Sequence, residues 1–468
     1  MVFCCLFPAV ADEPSPGERP NVLFIAVDDL NHWVGHLKRN PQTITPNVDR
    51  LAAMGVSFSR AYCAAPACNP SRTTLMSGIR PSTTGIYHND NDYRPHIRPE
   101  QTLNSWFRAN GYYVCGAGKI YHGGGGRVQE WDEFTRPGQV NNQGQWSSND
   151  IGGIRWSVLK GDDDAVADYF TVSYCIDQLQ KTHDKPLFLA CGIFRPHMPW
   201  SVPKKYYDMH PLEEIQLPPY REDDLSDVPK VGVTVAKPEG DHKHITDAGK
   251  WKEAVQAYLA SITYADAQLG RLLDALEQSA FKDNTIIVLW GDHGWHLGEK
   301  QHWRKFALWE EATRAPLIWV APGVTPQNRI SPRTVDFTSI YPTLCELAGL
   351  ETPSHLEGVS IASLLRDPEA NWDRPALTTH GFQRHAVRSE RWRYIRYDDG
   401  SEELYDHDTD PYEWTNVASR SEYASVKAEL ARWMPSVNNP EVEKEKSGNA
   451  KAGAGKAAKS RRGSDDDR

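Results

Sequence analysis

This chain of 468 residues has few cysteines, no excess of basic residues and no long apolar run. No apolar run reaches the roughly 18 residues that a transmembrane helix needs, so the sequence predicts no membrane span. Eight cysteines, without metal-type pairing or dense spacing, exclude a zinc module and a disulfide scaffold. Lys and Arg number 52 against 62 Asp and Glu, and the net charge of −10 argues against a nucleic-acid binder with a large basic surface.

What the chain does contain indicates a large globular protein. Hydrophobic residues make up 39%, and 16 Trp, 19 Tyr and 13 Phe exclude global disorder. Residues 1–11 are apolar and end in Ala-x-Ala, and a polar, Pro-rich stretch follows to residue 20. This pattern is typical of the end of a secretory signal, so we interpret residues 1–20 as a signal remnant and leader and expect an exported protein, periplasmic or secreted.

Strand-like and helical patterns alternate over the next 350 or so residues. Continuous apolar runs predict buried strands at 21–27, 112–115, 186–192, 285–290 and 316–320, with helices at 46–54, 102–110, 164–180, 250–278 and 337–347. Such alternation predicts an α/β domain over residues 21–370, built on a large, mostly parallel sheet flanked by helices. Functional residues in such sheets lie beyond the carboxyl ends of the strands.

The pattern changes after residue 375 to short alternating runs. Segments 384–397 and 402–406 are separated by Asp-Asp-Gly at 398–400, which is a hairpin signal, and a helix is predicted at 421–433. We therefore expect a smaller C-terminal antiparallel-sheet subdomain over residues 371–437. Residues 438–468 are rich in Lys, Glu, Ala, Gly and Ser and predict a disordered tail.

Three carboxylates follow two of the predicted strands. Asp28 and Asp29 end the first strand, and Asp292 follows the strand at 285–290. At a shared edge of the sheet they would repel one another, so a divalent cation is the physical means of keeping them together. Oxygen ligands suit Ca²⁺, with Mg²⁺ also possible.

The segment from Cys68 to Arg72 reads Cys-Asn-Pro-Ser-Arg and precedes a small-residue helix that ends at Gly78. It resembles the signature of the type I, formylglycine-dependent sulfatases of the alkaline-phosphatase superfamily. Four further stretches, at 27–30, 118–122, 194–199 and 291–299, are similar to iduronate-2-sulfatase-like members. The resemblance covers most of the chain and implies an alkaline-phosphatase/sulfatase-like fold.

The resemblance implies that Cys68 is converted to formylglycine (3-oxoalanine) by a formylglycine-generating or sulfatase-maturing enzyme. The hydrated aldehyde would attack the sulfur of a sulfate ester, and a helix amino terminus would favour the anion. The implied metal set is Asp28, Asp29, Cys68, Asp292 and His293. His293 stands where many sulfatases have Asn, so it is either a ligand or a donor to sulfate.

The resemblance also implies roles for the remaining polar residues. Arg72 would orient the nucleophile, while Lys119 and Lys305 neutralise sulfate oxygens; Arg304 is an equally good candidate for the second cation. His122 would assist collapse of the covalent intermediate, and His197 would protonate the leaving alcohol. Apart from the resemblance, the loops at 88–94 and 383–385 are candidates for lining the saccharide site. Substrate contacts are expected from Trp295, His296, Arg94, Arg384 and His385.

These features favour an exported sulfatase acting on sulfated saccharides, either iduronate- or uronate-containing or derived from algal polysaccharides. A formylglycine-dependent phosphodiesterase or phosphonate monoester hydrolase is the nearest rival, because its substrates carry similar charge. A non-catalytic glycan-binding relative is a third possibility, and a metal-dependent phosphatase using Cys68 or Ser71 directly is the last. The sugar, the sulfate position, endo or exo action, the metal and the oligomeric state stay open.

Overall fold

The computed structural model describes residues 19–123, 126–136 and 149–444, so the signal-like residues 1–18 lie outside the described part. Its strands in chain order are β1 Asn21–Val27, β2 Val56–Tyr62, β3 Tyr113–Gly118, β4 Glu133–Thr135, β5 Asn149–Ile151, β6 Ile154–Leu159, β7 Leu187–Ile193, β8 Trp200–Pro203, β9 Thr285–Gly291, β10 His296–Leu297, β11 Trp303–Arg304, β12 Leu317–Val320, β13 Arg329–Asp336, β14 Ala376–Thr379, β15 His385–Arg388, β16 Trp392–Arg396 and β17 Glu402–Asp406. Its α-helices are α1 Pro46–Met54, α2 Cys68–Ser77, α3 Pro81–Thr84, α4 Leu103–Ala109, α5 Ala167–Leu179, α6 Lys204–Asp208, α7 Lys230–Ala236, α8 Lys243–Asp247, α9 Trp251–Glu277, α10 Glu310–Thr313, α11 Ile340–Leu347, α12 Ala362–Arg366 and α13 Ala424–Ala431. None of the described helices is both long and apolar enough to cross a membrane.

The predicted large, mostly parallel sheet is confirmed. Eight strands lie in the order β13-β2-β12-β9-β1-β7-β3-β4. The central strand β1 pairs in parallel with β9 on one side and β7 on the other. The strand predicted at 316–320 is the exception, because β12 runs antiparallel to both β9 and β2. The carboxyl ends of β1, β3, β7 and β9 therefore meet at one edge.

Both faces of the sheet are covered by helices, as expected for strands made of continuous apolar residues. Every residue of β1 is buried. Leu23, Ile25 and Val27 face a core that includes the long helix α9, while Val22, Phe24 and Ala26 face a second core on the side of α4 and α11. The alternation arises because successive side chains of a strand point to opposite faces.

Besides the short antiparallel pair β10–β11, two smaller sheets flank this domain. Strands β14 to β17 form an antiparallel meander, and the turn at 398–400 joins β16 to β17 as predicted. One face of the meander packs on residues 307–312 of the larger domain, and the other packs on α13. A mixed sheet of β5, β6 and β8 was not expected from the sequence.

The expectation of disorder is wrong for residues 438–444, which pack on the larger domain. Asn439 N donates to Ser82 O (2.8 Å), and Val442 N donates to Gly85 O (3.0 Å). The Asn91 side chain donates to the backbone of Val442 (3.1 Å). We call residues 438–444 the C-terminal strap. Residues 445–468 lie outside the described residues.

Candidate active site

Cys68 is the first residue of α2, and its side chain is fully buried. The helix leaves its first N–H groups without intrahelical acceptors, so its amino terminus favours an anion at this position. The thiol is surrounded by side chains from four separate segments. Its Sγ lies 2.9 Å from Lys305 Nζ, 3.3 Å from His293 Nε2, 3.7 Å from Lys119 Nζ, 3.7 Å from Asp28 Oδ1 and 3.9 Å from Asp29 Oδ1.

The sheet edge brings the three predicted carboxylates together. Asp28 and Asp29 follow β1, Asp292 follows the neighbouring β9, and Asp29 N donates to Asp292 Oδ1 (2.9 Å). Arg72 bridges two of them, with Nη2 2.9 Å from Asp28 Oδ1 and Nε 2.9 Å from Asp292 Oδ2. Lys119 pairs with Asp28, while Lys305 lies 3.0 Å from Asp29. Three cations thus face three carboxylates.

Burial and neighbouring charges give these groups different ionisation behaviour. Burial alone would raise the pKa of Asp28, but Lys119 and Arg72 hold that pKa well below its usual range. Burial, with Asp28 and Asp292 close by, raises the pKa of Asp29 to about 7 despite Lys305. Burial also raises the pKa of the Cys68 thiol well above its usual value. An unmodified Cys68 would therefore be a poor thiolate nucleophile.

The donor set fits a hard divalent cation. Ligand atoms of Asp29, Cys68, Asp292 and His293 all lie within 4.8 Å of one another, and Asp28 belongs to a second such group. Asp29 Oδ2 is buried without a hydrogen-bond partner within the described residues, which is costly unless another group satisfies it. With Asp28, Asp29 and Asp292 all ionised, these carboxylates balance Arg72, Lys119 and Lys305, so a bound anionic ester would add negative charge that a cation would offset.

The segment after β9 decides between the two candidate cations near residue 304. Arg304 turns away and donates to Asp241 (2.6 Å) and Gly152 O (3.3 Å), whereas Lys305 reaches Cys68. The segment 299–306, which we call the Lys305 loop, holds Lys300, Gln301, Arg304 and Phe306 at positive φ. Buried anchors hold it there, since Lys300 donates to Asp224 (2.7 Å) and to the Glu413 carbonyl. Such strain persists only where the surroundings over-determine the backbone.

Two other predicted residues lie at the same edge. Lys119 follows β3, and its backbone passes so close to Gly192 of β7 that a Cβ on the glycine would lie 2.4 Å from Lys119 N. His197 Nδ1 lies 2.6 Å from Met198 O, and Nε2 lies 3.9 Å from Asp29 Oδ2. Since a carbonyl only accepts, Nδ1 carries the hydrogen and Nε2 points to the carboxylates. His122 lies half-buried three residues beyond Lys119.

Three of the expected substrate-binding residues, Trp295, His296 and His385, are buried in packing contacts, and these three expectations need correction. Trp295 and His296 are 1% and 0% exposed: Trp295 lies beneath Lys305, with Nζ 5.6 Å from the ring, and His296 packs on His302. His385 is buried on β15, between Thr379 (3.0 Å) and Asn438 (2.8 Å). Arg384 pairs with Asp398 and Arg94 with Asp92, each at 2.7 Å. The sequence showed their motif, but not the direction of their side chains.

A second cluster of Glu310, His407 and Glu413 has ligand atoms at metal-compatible separations. Here the charge is satisfied by arginine instead. Arg393 lies 2.5 Å from both Glu310 and Glu413, and Arg388 lies 3.3 Å from Glu310. These salt bridges connect the C-terminal subdomain to α10 of the larger domain.

Comparison with known proteins identifies the family. The sulfatase family model matches residues 20–350, and a model described as the C-terminal region of N-sulphoglucosamine sulphohydrolase matches residues 298–439. A sulfatase of Formosa agariphila is 40% identical over 90% of this chain and 87% of its own. Human iduronate 2-sulfatase is 30% identical over 71% of this chain and 70% of its own. The chain belongs to the sulfatase family of sulfuric ester hydrolases.

Solved structures support the fold. The phosphonate monoester hydrolase of Agrobacterium radiobacter superposes with a TM-score of 0.76, covering 88% of this chain and 94% of its own at 22% sequence identity. At that identity the likeness concerns the fold and not the substrate. The fold expected from the resemblance is thereby confirmed.

Proposed function

We propose that this protein hydrolyses sulfate esters of sulfated saccharides, using a formylglycine made from Cys68 and a divalent cation held by Asp28, Asp29, Asp292 and His293. The observation that carries the proposal is the convergence of these carboxylates with three cationic side chains on one buried cysteine. The saccharide class is supported by the relatives named for iduronate and sulphoglucosamine. Ca²⁺ fits the oxygen donors, and Mg²⁺ is the alternative.

The chain's own residues divide the work by position. Lys119 and Lys305 lie on either side of Cys68 and would hold sulfate oxygens, while Arg72 fixes Asp28 and Asp292. His197, whose Nδ1–H donates to the Met198 carbonyl, would in its protonated form present Nε2–H to the leaving alcohol. When bound, the cation would polarise a sulfate oxygen, and the hydrated formylglycine would supply the oxygen nucleophile. His122 would assist release of sulfate.

The burial of Cys68 bears on maturation. The thiol is fully buried among charged side chains, so a modifying enzyme could not reach it in the folded protein. We infer that a formylglycine-generating or sulfatase-maturing enzyme acts before folding. The signal-like pattern of residues 1–11 is consistent with export of the chain.

The test is mass spectrometry of residue 68 together with a Cys68→Ala variant. Protein co-expressed with a maturing enzyme should carry formylglycine or its hydrate at 68 and cleave sulfated uronic-acid or algal saccharides. Cys68→Ala should lose activity and keep its melting temperature. Cys63→Ala is the matched control, because Cys63 is equally buried five residues earlier, and this variant should keep activity. In the wild-type protein, Cys63 should stay unmodified.

Two results would contradict the proposal. Full sulfatase activity with unmodified Cys68 would exclude formylglycine as the nucleophile. Faster turnover of phosphonate monoesters or phosphodiesters than of every sulfate ester would favour the rival hydrolase, whose fold is shared.

A further inference from the structure

Three loops surround the segment that leads into Cys68, and each is hydrogen-bonded to it. The segment is residues 63–69. The hydrogen bonds run from Thr379 N to Ala64 O (2.9 Å), from Phe306 N to Pro66 O (2.9 Å) and from Asn69 Nδ2 to His88 O (3.1 Å). The three loops come from the end of β14, from the Lys305 loop and from the region after α3, so only the tertiary structure places them together.

Each loop presents one ring beside this segment. The rings of Phe306 and His380 are 6.0 Å apart, and those of His380 and His88 are 5.7 Å apart. All three residues are partly exposed. The row begins at the catalytic centre, because Lys305 Nζ lies 5.6 Å from the Phe306 ring and 2.9 Å from Cys68 Sγ. We call these three residues the ring wall.

The ring wall is held in place before any ligand binds. Asn91 Oδ1 accepts hydrogen bonds from Tyr87 N (2.9 Å) and His88 N (2.7 Å), and the C-terminal strap in turn binds Asn91. On the opposite loop, His380 N donates to Arg384 O (3.0 Å) across a turn with Gly381 at positive φ. A preorganised surface loses little conformational entropy on binding, which is typical of recognition sites.

The chemistry of the ring wall suits the C–H face and the hydroxyl groups of a sugar ring. The Phe306 ring offers an apolar face to sugar C–H groups. Nδ1 of His380 is buried and has no hydrogen-bond partner within the described residues, so it can take one from a ligand. Burial lowers the pKa of His380 to about 3, so the imidazole is neutral and can accept a hydrogen bond from a hydroxyl group.

We propose that Phe306, His380 and His88 form a saccharide subsite that binds the sugar next to the sulfate, with Phe306 against the ring and His380 on a hydroxyl group. His88 lies in the loop at 88–94 that the sequence suggested, and the subsite takes the place of the contacts expected from the buried Trp295, His296 and His385. It rests on the proposed function, since a sulfated saccharide must be the substrate.

Steady-state kinetics on a defined sulfated disaccharide would test the subsite, with inhibition by inorganic sulfate as a second readout. Phe306→Leu and His380→Phe should each raise KM for the disaccharide by about tenfold, the effect of losing roughly one good contact, while kcat changes little. Inorganic sulfate fills the sulfate pocket and has no sugar. Its inhibition constant should therefore stay within about twofold of wild type.

Conservative and remote variants complete the design. Phe306→Tyr keeps the ring and should restore KM. His183 is another half-buried imidazole, 5.0 Å from the Tyr113 ring and distant from Cys68 in the fold, so His183→Phe should change neither constant.

The outcomes separate the subsite from the proposed function. Equal weakening of the disaccharide and of inorganic sulfate would mean that the ring wall only supports Lys305, and unchanged KM in both variants would mean that it does not bind sugar; either result overturns the subsite. A wild-type protein that cleaves aryl sulfates but no sulfated saccharide overturns the glycan specificity and the subsite with it.

Discussion

Neighbouring residues with the same side chain behave differently at this site. Asp28 receives both Arg72 and Lys119, whereas Asp29 receives Lys305 and retains one buried oxygen without a hydrogen-bond partner among the described residues. Asp29 also adopts positive φ, which turns its carboxylate toward Cys68 and away from the direction of β1. The sequence shows two adjacent carboxylates, and their separate tasks follow from what each one contacts.

At the same scale, we predict that His197 is the general acid for the departing sugar alcohol. His197→Ala should reduce turnover of a saccharide sulfate about 10²- to 10⁴-fold, because an alkoxide is a poor leaving group without a proton. The loss on an aryl sulfate should be much smaller, because a phenolate leaves more readily. Parallel kinetics on both substrates provide the measurement.

A buried histidine elsewhere provides the control. His210 donates to or accepts from Thr263 Oγ1 at 2.9 Å and lies among the helices, so His210→Ala should affect both substrates alike. Equal losses from His197→Ala on both substrates would instead identify His197 as a sulfate-binding or structural residue.

The cation site belongs to the scale of elements, because two adjacent parallel strands end at it. The pairing of Val27 with Gly291 places the residues after β1 and β9 side by side. We predict that saturating Ca²⁺ raises the melting temperature of metal-free protein. A hundredfold excess over Kd corresponds to about 2.7 kcal/mol of stabilisation. Asp29→Asn should lose most of this increment, measured by thermal unfolding with and without Ca²⁺.

Asp266 distinguishes a cation ligand from any buried carboxylate. It caps α1 by accepting hydrogen bonds from Val48 N (2.7 Å) and Asn47 N (3.0 Å). Asp266→Asn should lower the melting temperature with and without Ca²⁺ and leave the increment intact. The cation site is refuted if chelated protein keeps normal turnover or if Asp29→Asn keeps the full increment.

At the scale of the whole molecule, the C-terminal subdomain supports the loop that carries Lys305. Its Glu413 accepts from Glu310 N (2.9 Å), and the Glu413 carbonyl anchors Lys300 in the Lys305 loop. The C-terminal strap binds Asn91, which in turn holds the backbone of the His88 loop. The two parts of the chain therefore share the task of positioning residues around Cys68.

We predict that Arg393 is the strongest single tie between these parts. It is fully buried against Glu310 and Glu413, so Arg393→Met would leave two buried carboxylates short of a partner. The expected cost is about 3–5 kcal/mol in the apparent free energy of unfolding. Denaturant titration followed by fluorescence provides the measurement.

Arg391 is the matched control, because it lies two residues earlier and pairs with Asp406 at the surface. Arg391→Met should leave stability nearly unchanged, since exposed ion pairs contribute little. Similar losses from the two variants would show that the buried cluster is not a special tie.

Much of the fold is readable from local pattern. The strands predicted at 21–27 and 285–290 agree with β1 and β9 to within a residue, because continuous apolar runs identify strands buried on both faces. Strands β2 and β13 were missed, since Val-Ser-Phe-Ser-Arg-Ala-Tyr and a stretch with Pro332 mix polar and apolar residues. The sequence pattern also did not show the direction of a strand in the sheet, as the antiparallel β12 illustrates.

The sequence by itself determined the chemistry-bearing motifs, because the position of Asp28, Asp29 and Asp292 after apolar runs depends on a few consecutive residues. The tertiary structure decided which side chains meet. Lys305 and not Arg304 reaches Cys68, and Trp295 is buried beneath it, because the loop's left-handed backbone is fixed by contacts with Asp224 and with a segment more than 100 residues later. Packing over such separations leaves no local pattern in the chain, so only the folded structure reveals it.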